Sequence, residues 1–152
     1  AIIRALTNAK ISPSDVSFIL SGDLLDQCMG SAFAIKDLEI PSVGLYGACS
    51  TMALSMCVGS MLVDGGANYV VAGTSSHFCS SERQFRFPLE YGGQRAPSAQ
   101  WTVTGAGSAV IAKMGEGIKI KAVSIGTICD MGITDANNMG AAMAPVDGRI
   151  RP

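Results

Sequence analysis

A cysteine at a strand-to-helix junction is the residue with the clearest chemical potential in this sequence. Cys49 follows the apolar run 42–46 and is followed at once by a run with helical character. A thiol at that point lies near the positive end of a helix dipole and near unpaired backbone N–H groups, which stabilise an anion. The position therefore predicts either a nucleophile or a pocket residue that faces an anionic ligand. A small buried residue that fills a tight turn is the structural alternative.

Two further polar residues follow predicted strands. His77, the single histidine, comes after the apolar strand 69–73 and could act as a general base or as a ligand contact. A hydrogen-bonded structural histidine fits the position equally well. Asp23 follows the strand predicted over 16–20, where capping of a turn competes with a role in a crevice. Because ligands gather at the carboxyl ends of parallel strands, either residue could face the crevice beside Cys49.

A charged and aromatic stretch, residues 78–101, is predicted to be a loop that forms a pocket wall or a subunit contact. Its residues Arg83 and Arg86, together with aromatic side chains such as Tyr91, could cradle a small aromatic dicarboxylate. Arginine suits that task because its guanidinium binds a carboxylate as a paired fork. With Glu82, the two arginines could equally form a solvated surface.

The elements that would position these residues alternate between strands and helices. Helices are predicted over residues 1–9, 27–37 and from Cys49 to about 63, and strands over 16–20, 42–46 and 69–73. This order favours a parallel α/β sheet with right-handed crossovers. Two further strands, 102–112 and 118–125, are predicted to form a hairpin. In the helix after Cys49, four apolar residues are expected to face inward: Met52, Met56, Val58 and Leu62.

Composition limits the classes of function open to the chain. Of its 152 residues, 48% are hydrophobic and 15% charged, so we expect a partner, a missing half of the fold or a membrane-associated complex to cover part of the surface. A net charge of −1 without a basic stripe gives no electrostatic footprint for nucleic acid. The five cysteines include no Cys-x-x-Cys pair, which favours reduced thiols over a disulfide framework or a zinc site. No signal peptide and no apolar run of membrane-spanning length are visible.

Several motifs spread over the chain carry a family resemblance. Leu-Tyr-Gly-Ala-Cys-Ser-Thr at 45–51 is similar to the nucleophile elbow of thiolases and ketoacyl-ACP synthases, and 104–110 is similar to their glycine-rich segment. More specific motifs are Ser-Glu-Arg-Gln-Phe-Arg at 81–86 and Glu-Tyr-Gly-Gly-Gln at 90–94. Together they resemble the stage V sporulation protein AD family of spore-forming bacteria, a non-enzymatic branch of the thiolase-fold superfamily.

The resemblance implies a thiolase-like fold, in which two βαβαβαββ repeats form an αβαβα body, usually as a homodimer. Residues 1–152 would be approximately the first repeat, a partial domain truncated at both ends and without the second repeat. In the catalytic relatives, the histidine and the second catalytic residue belong to that second repeat. By analogy with the fold, the strand at 69–74 is a candidate dimer edge.

The same resemblance implies a binder of dipicolinic acid, pyridine-2,6-dicarboxylate, alone or with calcium. The family serves the uptake of this compound into the developing spore, and so spore germination, together with other stage V sporulation membrane proteins. The protein would be intracellular and peripheral at the forespore inner membrane, without a resident cofactor or metal. The ligand-binding residues would be Cys49, His77, Asp23, Arg83, Arg86 and Tyr91.

Two alternatives remain open at the level of sequence. The first is a thiolase- or ketosynthase-like acyltransferase, in which Cys49 forms a thioester and backbone N–H groups hold the oxyanion. It fits the elbow, but this chain has no counterpart of the histidine from the second repeat. The second alternative is an incomplete domain that is stable only beside its missing half.

Overall fold

The computed structural model describes residues 1–85, 102–127 and 130–135. The chain divides into two compact units: residues 1–91 with 101–123, and residues 92–100 with 124–152. All helices and strands given below belong to the first unit. In the second unit, the described residues carry no helix or strand.

Helices and strands alternate along the first unit. The elements of the described part are α1 (Ile2–Ala9), β1 (Val16–Asp23), α2 (Met29–Ile35), β2 (Ser42–Gly44), α3 (Thr51–Asp64), β3 (Tyr69–Ser76), α4 (Phe78–Phe85) and β4 (Gly105–Ala112). Short 3-10 turns lie at Pro13–Asp15, Lys36–Leu38 and Ala48–Ser50. The predicted strands and the helices before α4 are therefore confirmed up to residue 76, with α2 and β2 shorter than expected.

The strands form one sheet in the order β2-β1-β3-β4. β1 runs parallel to β2 and to β3, whereas β4 is antiparallel to β3, which confirms the expected α/β sheet. β1 extends beyond its predicted end because its last three residues pair with Gly73, Thr74 and Ser75 of β3. Since β3 is paired on both sides, the prediction that strand 69–74 is a dimer edge is wrong. In the described part of the chain, the outer strands are β2 and β4.

Two predictions for the region after β3 are also wrong. Residues 78–85 form a helix instead of a loop, because the helix-breaking prolines and glycines of this stretch all lie beyond it. The hydroxyl of Thr104 accepts a hydrogen bond from Phe78 N–H at 3.0 Å and so supports the first turn. Residues 118–125 carry no strand and pair with no described segment, so the predicted hairpin with 102–112 does not form. Ile118 is fully exposed. Residues 86–101 lie outside the described residues.

The hydrophobic core lies on both faces of the sheet. Side chains of a strand alternate between faces, so neighbouring residues of β3 enter different clusters. On one face, α3 covers a cluster of Leu20, Val63, Val70, Ala72 and Ile111. On the other face, α1 and α2 cover a cluster of Leu6, Val16, Ile19 and Val71. The sheet is therefore covered by α3 on one face and by α1 and α2 on the other.

Small residues bring α3 close to the sheet. The buried row of this helix consists of Thr51, Ser55, Gly59 and Val63, each four residues from the next. A Cβ at Gly59 would lie 2.7 Å from Ile111 Cδ1, so a larger residue there would force the Ile111 side chain to move. The four apolar residues predicted to face inward are partly buried and pack against the same cluster, but they flank this row instead of forming it.

Candidate functional site

The elbow, defined here as residues 45–51, connects β2 to α3 and is held by a few short hydrogen bonds. Leu45 N–H donates to Ser21 O at 2.9 Å, which continues the pairing of β2 with β1. Gly47 N–H donates to Thr51 Oγ1 at 3.2 Å, and that hydroxyl donates to Ala48 O at 2.8 Å. Thr51 is fully buried. The first residue of α3 thus fixes the turn that precedes it.

The elbow packs directly on the backbone of β1. A Cβ at Gly22 would lie 1.8 Å from Leu45 O and 2.9 Å from Thr51 Cγ2, so no side chain fits between the strand and the elbow. Inside the elbow, Ala48 has a φ of 48°. A residue with a side chain in this left-handed region costs about 1 kcal/mol or more. The turn is therefore sterically tight and locally strained.

Cys49 lies at the tip of the elbow and is exposed to solvent. It belongs to the 3-10 turn Ala48–Ser50, which runs into the fourteen-residue helix α3. The alternative of a buried residue that fills a turn is therefore wrong for Cys49. Its thiol is accessible for binding or for reaction, next to the end of a helix that favours anions.

Asp23, at the end of β1, is in contrast buried, with 4% of its surface exposed. Its two carboxylate oxygens accept the N–H of Ser31 at 3.0 and 3.1 Å, and the hydroxyl of Ser75 also donates to Oδ1. Ser31 is in the first turn of α2, so Asp23 caps this helix from a strand eight residues earlier. Capping, the alternative weighed for Asp23, is what the hydrogen bonds show, although of a helix instead of a local turn.

His77 is exposed and directly follows β3. Its carbonyl accepts Ser81 N–H at 3.0 Å in the first turn of α4. Because β1 lies between β2 and β3, the strands that lead to Cys49 and His77 are two spacings apart, about 10 Å. The structure thus places Cys49, Asp23 and His77 after the carboxyl ends of three parallel strands, with a buried carboxylate between two exposed groups.

The other predicted ligand residues belong to the stretch that starts with α4. Arg83 lies in this helix, of which only the backbone is described at that position. Arg86 and Tyr91 lie outside the described residues. Their roles as ligand contacts stay predictions.

A cavity of about 170 Å³ lies between α1, α2 and the sheet. The residues that line it include Ser21, Ser31, Thr74 and Ser75, together with apolar residues of α1 and α2. Neither Cys49 nor His77 is among the lining residues, and none of those residues is a lysine, an arginine or a histidine. A dicarboxylate would therefore find hydroxyl groups but no cationic side chain there, so the elbow is the better candidate for an anionic ligand.

Several residues that build the site were missed at the level of sequence. They are Gly22, Cys28, Ser31, Thr51 and Ser75. A glycine inside a strand is a known signal for a close backbone approach, and it could have identified Gly22. Cys28, Ser31 and Ser75 act through contacts with residues 17, 8 and 52 positions away, which no local pattern connects. Thr51 acts within the elbow itself.

The chain has clear relatives. The family model described as Stage V sporulation protein AD (SpoVAD) matches residues 1–149. The curated protein named Stage V sporulation protein AD from Bacillus subtilis (strain 168) is 44% identical over 146 residues, which are 95% of this chain and 43% of that protein. The chain therefore spans less than half the length of this relative.

Solved structures show a similar fold at low identity. The 3-oxoacyl-[acyl-carrier-protein] synthase III from Aquifex aeolicus VF5 superposes with a TM-score of 0.58 at 16% identity, over 76% of this chain and 37% of that one. The priming β-ketosynthase from the R1128 polyketide biosynthetic pathway gives 0.51 at 17% identity, over 74% and 33%. These likenesses carry the fold alone, part of a thiolase-like α/β fold. The chain belongs to the stage V sporulation protein AD family.

Proposed function

We propose that this protein binds dipicolinic acid at the elbow and serves its uptake into the developing spore. The observation that carries the proposal is the exposed Cys49, at the carboxyl end of a parallel sheet and next to the start of α3, in a chain of a sporulation family. Ligands of open α/β sheets bind at this end of the strands. The elbow would be a pocket feature that the family shares with enzymes of the same fold.

Electrostatics and spacing support an anionic, ring-shaped ligand. The start of a fourteen-residue helix attracts a carboxylate through the helix dipole and backbone N–H groups. His77 lies after the strand two positions away, so the ends of the two strands are about 10 Å apart, a distance that a planar ring with two carboxylates could span above the end of β1. Arg83, Arg86 and Tyr91 would close over the ring and pair with the second carboxylate.

The arrangement of the described residues supports binding more than catalysis. A thiol nucleophile needs a base within hydrogen-bond reach and a third group that orients the base. The strand that carries Asp23 separates the strands that lead to Cys49 and His77. The carboxylate of Asp23 is buried and already accepts hydrogen bonds from Ser31 and Ser75. It is therefore not available to orient a catalytic base.

The acyltransferase alternative is favoured by one observation, the accessible thiol at the elbow. In that reaction, Cys49 would attack an acyl thioester, take over the acyl group and release the thiol of the donor. Incubation with an acyl-CoA, followed by intact-mass spectrometry, would show an acyl adduct on the wild-type protein and none on Cys49→Ser. The binder account expects no adduct on either protein.

Calcium enters the proposal with the ligand. Among the side chains that the structure describes, no three His, Cys, Asp or Glu residues are grouped so that they could hold a metal ion. Dipicolinate itself offers carboxylate oxygens, which are the ligands that calcium prefers. Titrations with and without calcium would therefore compare two forms of the same ligand.

The partners and the location follow the family. The described part of the chain contains no helix that is both long and apolar enough to cross a membrane. We place the protein at the forespore inner membrane through other stage V sporulation proteins. A homodimer would use β2, an outer strand whose three residues are all exposed. Sedimentation of the intact protein tests this arrangement. The variant that blocks pairing is Ser42→Pro, because Pro41 O and Leu45 N–H bond β1 and the N–H of Ser42 therefore lies on the outer side.

The test of the binding proposal is calorimetric titration of the intact protein with dipicolinate. Cys49→Ser should bind within about threefold of wild type, because a pocket residue needs no nucleophile. Cys49→Trp should weaken binding at least about tenfold, or about 1.4 kcal/mol, because the bulky ring fills the crevice. Cys57→Ser, in the middle of α3, is the matched control and should leave binding unchanged. Absence of binding heat from the intact wild-type protein would contradict the proposal.

A further inference from the structure

A chain of contacts joins the buried Asp23 to the backbone that enters the elbow. Asp23 accepts the N–H of Ser31, and the Ser31 hydroxyl donates to Cys28 O at 3.0 Å. The Cys28 thiol in turn donates to Leu45 O at 3.5 Å, a normal distance for a sulfur donor. The contacts thus run from β1, through the start of α2, to the first residue of the elbow.

Leu45 is held from two sides by these contacts. Its N–H donates to Ser21 O of β1 at 2.9 Å. Its carbonyl oxygen lies against Gly22, where a Cβ would approach to 1.8 Å, and it accepts the Cys28 thiol. Both polar atoms of the Leu45 main chain are therefore fixed four residues before Cys49.

Cys28 adopts a backbone conformation that needs compensation. It has a φ of 51° and precedes the first residue of α2, where asparagine or glycine would be less strained. Cys28 is half-buried, and its thiol makes the one side-chain hydrogen bond that links the start of α2 to Leu45 among the described residues.

We propose that Asp23 and Cys28 are positioning residues that fix the elbow, and with it Cys49, through Leu45. Asp23 holds the first turn of α2, at the end of the contact chain that is away from the elbow. Cys28 contacts the elbow directly, because its thiol donates to Leu45 O. The inference rests on the proposed function only in treating the elbow as the ligand-facing feature. It replaces the direct ligand contact expected for Asp23, because a carboxylate that is 4% exposed and already accepts from two donors, Ser31 N–H and the Ser75 hydroxyl, has little left for a ligand.

Hydrogen exchange of the ligand-free intact protein tests this role, since it does not depend on dipicolinate. The readout is the exchange rate of the elbow amides of Leu45 and Gly47, relative to the amides of β3 in the centre of the sheet. Cys28→Ala should speed exchange at the elbow about threefold and leave β3 unchanged, because one weak bond to a local unit is lost. Cys28→Ser keeps a donor and the same backbone strain, and it should restore the wild-type rate.

The Asp23 variants probe the far end of the same chain of contacts. Asp23→Ala should speed elbow exchange by about tenfold relative to Val70 and Val71 of β3, because a charged acceptor contributes more than a neutral one. These two amides serve as the reference because Ser75, at the other end of β3, is itself bonded to Asp23. Equal acceleration at the elbow and in β3 would mean general destabilisation and would overturn the proposal. So would an unchanged elbow in Cys28→Ala, or a Cys28→Ser variant that exchanges as fast as Cys28→Ala. A failure of dipicolinate to bind would leave all of these outcomes intact.

Discussion

The ends of β1 and β2 lie side by side at one edge of the sheet, yet they are built in opposite ways. β1 ends in the buried Asp23, whose carboxylate accepts hydrogen bonds from α2 and β3. β2 leads into a turn that leaves Cys49 exposed. The first end uses its polar group to hold the fold together, whereas the second leaves its polar group available. A polar residue after a parallel strand therefore indicates a ligand site only where the protein does not already satisfy it.

Forcing the end of β1 away from the elbow should have the largest effect on stability. Gly22→Ala places a Cβ at 1.8 Å from Leu45 O, so the backbone of β1 or of the elbow must move. We expect a loss of about 3 kcal/mol in the free energy of unfolding, measured by urea denaturation. Gly44→Ala, on the neighbouring strand with open space around its Cβ position, is the matched control and should change stability little. Similar losses in both variants would refute the tight contact.

Removing the buried carboxylate at the end of β1 should have the next largest effect on stability. Asp23→Ala removes the acceptor for Ser31 N–H and for the Ser75 hydroxyl and leaves buried donors without a partner. The expected loss is about 2 kcal/mol, measured by the same denaturation. Asp37→Ala removes an exposed carboxylate that pairs with Lys36, and it should cost less than about 0.5 kcal/mol. Equal stability of the two variants would mean that the hydrogen bonds of Asp23 contribute nothing measurable to the free energy of unfolding.

Removing a hydrogen-bonding hydroxyl from the elbow after β2 should destabilise the protein somewhat less. Thr51→Val keeps the shape of the side chain but removes the hydroxyl that accepts from Gly47 N–H and donates to Ala48 O. We expect about 1.5 kcal/mol of destabilisation, because a partly buried backbone donor, Gly47 N–H, loses its partner. Thr7→Val, in which the lost hydroxyl is exposed on α1, is the control and should be nearly neutral in thermal unfolding. An equally neutral Thr51→Val would show that the turn holds without its hydroxyl.

Relieving the backbone strain at Ala48 in the elbow should give the smallest change, and it should stabilise the protein. Ala48→Gly removes the steric cost of a φ of 48°, and we expect stabilisation by about 0.5 kcal/mol. Ala53→Gly makes the same exchange at an exposed position inside α3 and should destabilise by about 1 kcal/mol. Differential scanning calorimetry of the two variants compares the signs. Destabilisation in both would mean that Ala48 is not strained.

What could be predicted from sequence follows the range of the interactions. The elbow at 45–51 and the parallel direction of β1, β2 and β3 were accessible, because apolar runs and their spacing are local signals. The role of Asp23 was not accessible, because its partners Ser31 and Ser75 lie eight and 52 residues away. α4 was missed because the prolines and glycines that follow it make the whole stretch 78–101 resemble a loop.

The predicted strand at 118–125 shows the opposite limit. Its alternation of isoleucine and lysine is a sound strand pattern, since one face would be apolar and the other charged. A strand also needs a backbone partner, and no described segment pairs with these residues. A local pattern therefore indicates what a segment is suited for, whereas pairing decides whether the strand forms.

Protection of Cys49 from alkylation by dipicolinate tests the central claim, that the exposed end of β2 is the ligand site. Iodoacetamide would be added to the intact protein with and without dipicolinate, and the rate of modification at Cys49 followed by peptide mass spectrometry. Saturating dipicolinate should slow modification at least about tenfold, because the ligand covers the thiol. Pyridine, which lacks both carboxylates, should leave the rate unchanged. Binding of dipicolinate to the protein with an undiminished rate at Cys49 would contradict the claim.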